Sequence, residues 1–89
     1  MPGMTMLEEV GETGLKILLF LYQRRAKFTD FKKDLGAGNE AVYRAVLILE
    51  RHGLIIERRE GKKRMFELSE KGKKVAEKMN EAEKILAEK

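Results

Sequence analysis

Cysteine is absent from the chain, which excludes disulfides and thiolate metal sites and fits a reducing compartment. Histidine occurs once, at His52, and one imidazole does not make a metal site. Long apolar runs are missing too: the longest, residues 17 to 22, is far too short to span a bilayer. The start, Met1 to Glu9, is acidic where a secretory leader is basic, and it lacks an apolar stretch of the needed length. A soluble cytoplasmic protein with no membrane partner is the expectation. Catalytic groupings are equally sparse. No nucleophile has a base at a recognisable spacing, no carboxylate pair stands among apolar residues, and Gly36-Ala37-Gly38 lacks the rest of a nucleotide loop. The chain is therefore not expected to be an enzyme, and no cofactor or metal is expected.

What remains is a short, highly charged sequence. At 89 residues it is one domain, and a domain of this size buries only roughly 60 to 65% of its unfolded surface, so its core is thin and oligomerisation would help it. Lysine and arginine number 19 against 15 aspartate and glutamate, a net charge of +4. That balance is compatible with a polyanionic partner without demanding one.

Periodicity divides the chain. Residues 1 to 12 read as an arm with a possible short helix, Thr5 and Glu8 supplying a capping box, while Gly11 and Gly14 weaken any continuous helix. From Leu15 a helix places Leu15, Leu18, Leu19 and Tyr22 on one face, broadened by Ile17, Phe20 and Leu21, and it is expected to end within the basic stretch Arg24 to Lys27. Thr29 serves as N-cap of a short second helix, Asp30 to Leu35, whose Phe31 and Leu35 face inward. Gly36 and Gly38 permit a sharp turn, after which Asn39 caps a third helix running to about His52, with Gly53 as its terminator. On that helix Val42, Ala45, Val46 and Leu49 share one side, and Asn39, Glu40, Tyr43, Arg44 and Leu47 the other. The period then drops to two. Residues 54 to 59 and 64 to 68 read as two strands of a hairpin turned at Gly61-Lys62-Lys63. Ser69 caps a last, charged helix in which Val75, Met79, Ala82 and Leu86 form a heptad-like seam.

Three segments, Leu35 to Arg44, Leu49 to Ile55, and Leu68-Ser69-Glu70-Lys71-Gly72, resemble the helix-turn-helix and the strand-to-helix junction of prokaryotic winged helix-turn-helix regulators of the ArsR and MarR type. The charge-rich composition, poor in Asn, Gln and Cys, resembles thermophile usage and points to an archaeal or thermophilic source. The resemblance spans residues 15 to 75. It implies a mainly α fold with a small β-hairpin: a three-helix bundle plus wing over residues 13 to 68, preceded by the arm at 1 to 12 and followed by an added C-terminal helix at 69 to 89. It further implies a sequence-selective, double-stranded DNA-binding transcriptional regulator acting as a homodimer. The third helix would lie in the major groove, with the wing, residues 57 to 67, on the backbone or minor groove.

Carried onto this sequence, the implied DNA contacts are Thr29, Asn39, Glu40, Tyr43 and Arg44 from the helix-turn-helix and Arg58, Lys62, Lys63 and Arg64 from the wing. Arg44 stands where the family places a cation next to the bases, and its fork matches a guanine edge or a phosphate. Asn39 suits adenine. Glu40 either accepts from a cytosine amine or favours the helix N-terminus by its charge. Tyr43 offers its hydroxyl to a phosphate, offers its ring to a thymine methyl, or packs on the wing. The basic wing either grips phosphates or keeps a sheet edge from aggregating. Departures from the family include a short wing, Leu47 at a commonly polar outer position, and the loss of metal-sensing Cys and His clusters. The seam Val75, Met79, Ala82 and Leu86 either folds back on the first helix or pairs two copies, and its heptad spacing favours pairing. Whether an effector exists is not legible. The alternative function is a winged-helix protein-interaction module, whose third helix would meet protein instead of DNA.

Overall fold

A computed structural model describes residues 6–88 of the chain. The element order is α1 (Met6–Gln23), β1 (Ala26–Lys27), α2 (Phe28–Leu35), α3 (Asn39–Arg51), β2 (Ile55–Glu60), β3 (Lys63–Leu68) and α4 (Glu70–Ala87). Three helices and a three-stranded antiparallel sheet enclose the core, and α4 packs against α1. This is the winged helix-turn-helix with an added C-terminal helix that the sequence implies.

Several boundaries differ from the sequence reading, each for a local reason. Helical backbone already starts at Met6 and is interrupted at Gly11, which adopts φ 74° and ψ 178°. Side-chain residues are essentially excluded from that conformation, so one glycine ends the arm's helix and starts the next. The proposed cap at Thr5 lies outside the described residues. α1 then stops at Gln23, one residue before the basic stretch expected to close it; Arg24 lies past the end with its guanidinium 5.4 Å from the centre of the Phe20 ring. Thr29 does not cap α2. The helix begins at Phe28, and the Asp30 carboxylate accepts the Lys27 backbone N–H at 2.9 Å, capping the turn from inside. Asn39 is likewise the first residue of α3 instead of its cap, since Gly38 is the extended residue and its carbonyl takes the Val42 N–H at 3.1 Å.

The core face of α1 also shifts. Ile17, Leu18 and Leu21 are buried, whereas Leu15 and Leu19 are half-buried and Tyr22 is exposed. Positions 14, 17, 18 and 21 thus meet the core at helical spacing. Leu15, Leu19 and Tyr22 form a second stripe, which the expectation had merged with the first. Against the buried stripe pack Phe31 of α2, Val42, Ala45, Val46 and Leu49 of α3, and Phe66 and Leu68 of β3. Phe31 contributes most, with rings of Phe20 and Phe66 at 5.7 and 5.8 Å.

The sheet has a strand more than expected. β1 is two residues long, too short to produce a period, but buried Ala26 pairs with Phe66 and Lys27 with Met65, giving the order β1-β3-β2. The hairpin turn is tighter than expected as well: Glu60 pairs with Lys63, leaving Gly61 and Lys62 as the whole loop.

At the far end of α3 the chain makes a joint. Leu54 N–H bonds the Leu49 carbonyl at 2.9 Å and Gly53 N–H bonds that of Glu50 at 3.0 Å, a Schellman ending with Gly53 at φ 71°. Ser69 then ties this corner to α4. Its backbone N–H bonds the Leu54 carbonyl at 3.0 Å, its hydroxyl donates to the Gly53 carbonyl at 2.6 Å, and the same oxygen accepts the Gly72 N–H at 3.0 Å. Lys71 Nζ donates to the carbonyl of His52, the C-cap residue of α3, at 3.0 Å. Gly72 is buried so closely that a Cβ there would lie 1.9 Å from the Leu54 oxygen.

Candidate nucleic-acid interface

The front of α3 is open to solvent. Asn39, Glu40, Ala41, Tyr43 and Arg44 are all exposed, and behind them Val42, Ala45, Val46 and Leu49 are buried. The Arg44 side chain is 70% exposed and donates to the Glu40 carboxylate at 3.2 Å, a contact between consecutive turns. Exposed pairs of this kind are worth roughly 0.3 to 0.5 kcal/mol, so the fork is steadied without being sequestered. Glu40 also lies in the first turn, where its charge suits the helix dipole. Leu47, on the same helix, is 45% exposed and uncovered by any described side chain that would account for it. Thr29 is an exposed residue within the first turn of α2.

The wing is more ordered electrostatically than its composition indicates. Strand register puts Glu57, Arg59, Arg64 and Phe66 on one face, and Arg58, Glu60, Lys63, Met65 and Glu67 on the other. On the first, the Arg64 guanidinium reaches diagonally across the hairpin and donates to both Glu57 oxygens, at 2.6 and 2.9 Å. That fork holds the Glu57 carboxyl below the usual carboxylate range, and Glu57 in turn raises Arg64. The pair faces α3. Burial pushes the Glu50 carboxyl up, with the charge of Glu57 adding to the effect and that of Arg64 opposing it. On the second face Arg58 donates to Glu67, and Arg25, just before β1, donates to Glu60 at 2.5 Å. The hydrogen bond and charge of Glu60 raise Arg25 in turn.

Eight of the nine predicted contacts are therefore placed in two groups, and the ninth, Thr29, is on α2. Asn39, Glu40, Tyr43 and Arg44 lie together on α3, and Arg58, Lys62, Lys63 and Arg64 on the hairpin, with Arg58 and Arg64 bonded to glutamates. Sequence reasoning missed Arg25 altogether, because its relation to Glu60 depends on the two-residue strand that brings the end of α1 to the sheet.

The seam of α4 divides in two. Val75 and Met79 are half-buried against the chain's own core, whereas Ala82 is exposed and Leu86 is 83% exposed. Leu15, Leu19, Met79, Ala82 and Glu83 line a shallow apolar hollow of about 200 Å³. Among the described residues, no helix is long and apolar enough to cross a membrane, and no three His, Asp or Glu residues are grouped to hold a metal ion.

No family profile matches the sequence, and no curated protein does. Solved structures do. The adhesin competence repressor AdcR of Streptococcus pyogenes superimposes with a TM-score of 0.80 at 25% identity, covering 85% of this chain and 58% of that one. ZitR of Lactococcus lactis gives 0.79 at 26% identity, over 90% of this chain and 64% of its own. The transcriptional repressor BigR of Xylella fastidiosa gives 0.80 at 15% identity over 94% and 85%, a likeness of fold alone. The chain thus spans less than two thirds of the first two. Its resemblance to winged helix-turn-helix regulators of the ArsR and MarR type holds in three dimensions, and AdcR and BigR are described as repressors.

Proposed function

We propose that the chain is a sequence-selective, double-stranded DNA-binding transcriptional regulator that acts as a homodimer, with α3 in the major groove and the wing on the backbone or minor groove. One observation carries the reading: an α3 whose front is polar and solvent-facing while its back is anchored in the core, next to a basic hairpin. A helix so mounted presents side chains to base edges without moving the core. Arg44 takes a guanine edge and Glu40 a cytosine amine, so their existing pair opens onto one or two adjacent base pairs. Asn39, Tyr43 and Thr29 flank them, and the wing cations approach phosphates.

The two-copy arrangement is supported by the apolar stripe of Leu15 and Leu19 beside Met79 and Ala82, continued by the overhanging Leu86. A stable monomer has little reason to present such a face, and paired reading helices need a two-fold partner. The exposed Leu47 and Tyr43 on α3 favour a second reading, a protein-interaction module, in which the same face meets an apolar surface.

Binding to random and selected duplexes at several salt concentrations separates the readings. A regulator loses affinity steeply with salt and prefers some sequences; an interaction module binds duplexes weakly or not at all. Arg44→Ala is expected to cost roughly 1 to 3 kcal/mol on selected duplexes and to blur base preference. Equal losses on selected and random DNA would remove the readout role from Arg44. Lys63→Ala is expected to weaken all duplexes alike, and a loss confined to one sequence would contradict a phosphate contact.

A further inference from the structure

Six cations belong to the wing or its flank: Arg25, Arg58, Arg59, Lys62, Lys63 and Arg64. Three glutamates lie among them, and each is bonded to an arginine: Glu57 to Arg64, Glu60 to Arg25, and Glu67 to Arg58. No described bond or ion pair joins any of these glutamates to a lysine. The hairpin is therefore sorted by charge: Arg25, Arg58 and Arg64 are each matched with a glutamate, whereas Arg59, Lys62 and Lys63 have no described bond to one.

We infer that Glu57, Glu60 and Glu67 hold down sequence-blind binding by cancelling Arg64, Arg25 and Arg58, which leaves Arg59, Lys62 and Lys63 to grip phosphate. The inference rests on the DNA-binding reading above. Stability is a weak alternative explanation, because partly exposed ion pairs contribute little to folding. Residue choice fits the division everywhere but at Arg59. A planar fork engages a carboxylate through two parallel bonds, as Arg64 does, while an ammonium is a mobile point charge suited to exchange among phosphates. A phosphate approaching Arg64 also approaches Glu57, so its attraction to one is offset by repulsion from the other. Cancellation lowers the counterion-release term that every duplex shares, so random DNA, held almost wholly by that term, is bound weakly, while base readout by α3 is untouched.

Titration of the full chain against a random-sequence duplex at several salt concentrations tests this. Glu57→Gln keeps the side chain's shape and removes its charge. For each protomer bound, it is expected to steepen the salt slope by about 0.9 and to tighten random binding about fivefold to tenfold at 0.1 M salt. Arg64→Gln alone leaves the Glu57 charge uncancelled and is expected to weaken random binding, and Glu57→Gln with Arg64→Gln to return it to the wild-type level. Glu60→Gln, with Arg25→Gln as its partner, repeats the test at a second pair, and thermal melts establish that each variant is folded. An unmoved slope in folded Glu57→Gln and Glu60→Gln, or a Glu57→Gln with Arg64→Gln variant that stays as tight as Glu57→Gln, overturns the inference while leaving DNA binding intact. Salt-insensitive or absent binding by the wild type overturns the DNA-binding reading and this one together.

Discussion

Leu86→Glu is expected to leave the protomer folded while reducing its affinity for a selected two-half-site duplex by about 10²- to 10⁴-fold. The side chain is 83% exposed on the last turns of α4, so a charge there disturbs nothing within one chain. Across a two-fold axis it would set two carboxylates into an apolar contact with Leu15, Leu19, Met79 and Ala82 nearby. Losing the partner removes the second reading helix, and with it the high effective concentration that one bound half gives the other. Sedimentation of wild type and variant, with circular dichroism to verify folding, reads the outcome. A wild-type chain that sediments as a monomer, or a variant whose mass is unchanged, would exclude pairing through this face. Met79→Glu is the less clean probe, because Met79 also packs on its own core.

Gly72→Ala is expected to be the most damaging small substitution in the chain. A methyl group there would sit 1.9 Å from the Leu54 carbonyl oxygen and 2.9 Å from its carbon, both backbone atoms held by the joint. Relief requires moving α4 away from the corner, which breaks the bonds that Ser69 makes to Leu54 and Gly53. Overpacking of this sort costs about 3 kcal/mol or more, equivalent to a fall of roughly 12 to 24 °C in melting temperature for a domain of this size. A thermal melt within a few degrees of the wild type would show that α4 is not fixed where it is described.

The residues that made the fold legible are those whose constraint is local. Val42, Ala45, Val46 and Leu49 occur at helical spacing and are buried together; Ser69 accepts the amide three residues on, as an N-cap must. The errors arose where a distant contact decided the outcome. Nothing near Ala26 announces a strand, because its partner Phe66 lies forty residues away. Asp30 displaced Thr29 as the capping group because a carboxylate in the first turn reaches back to the preceding amide. The apolar residues of α1 looked like one wide stripe and proved to be two, since periodicity cannot distinguish a face that meets the core from one left partly open. In the wing, composition gave the sign of the charge correctly but not its distribution. Glutamates at 57, 60 and 67 are unremarkable in a charged sequence, and only the folded sheet and the chain leading into it assign each of them an arginine.

The corner where α3 ends and α4 begins has a mechanical consequence. Carbonyls of three consecutive residues, His52, Gly53 and Leu54, are gripped from α4's first turn, so no hinge separates the element that would read bases from the one that would meet a second copy. In a pair of copies that corner behaves as a fixed elbow: the crossing angle of the two α4 rods alone would dictate how far apart the reading ends stand along a duplex. Such a ruler tolerates insertions between half-sites poorly, and a compound wedged between the rods would detune it without touching either end.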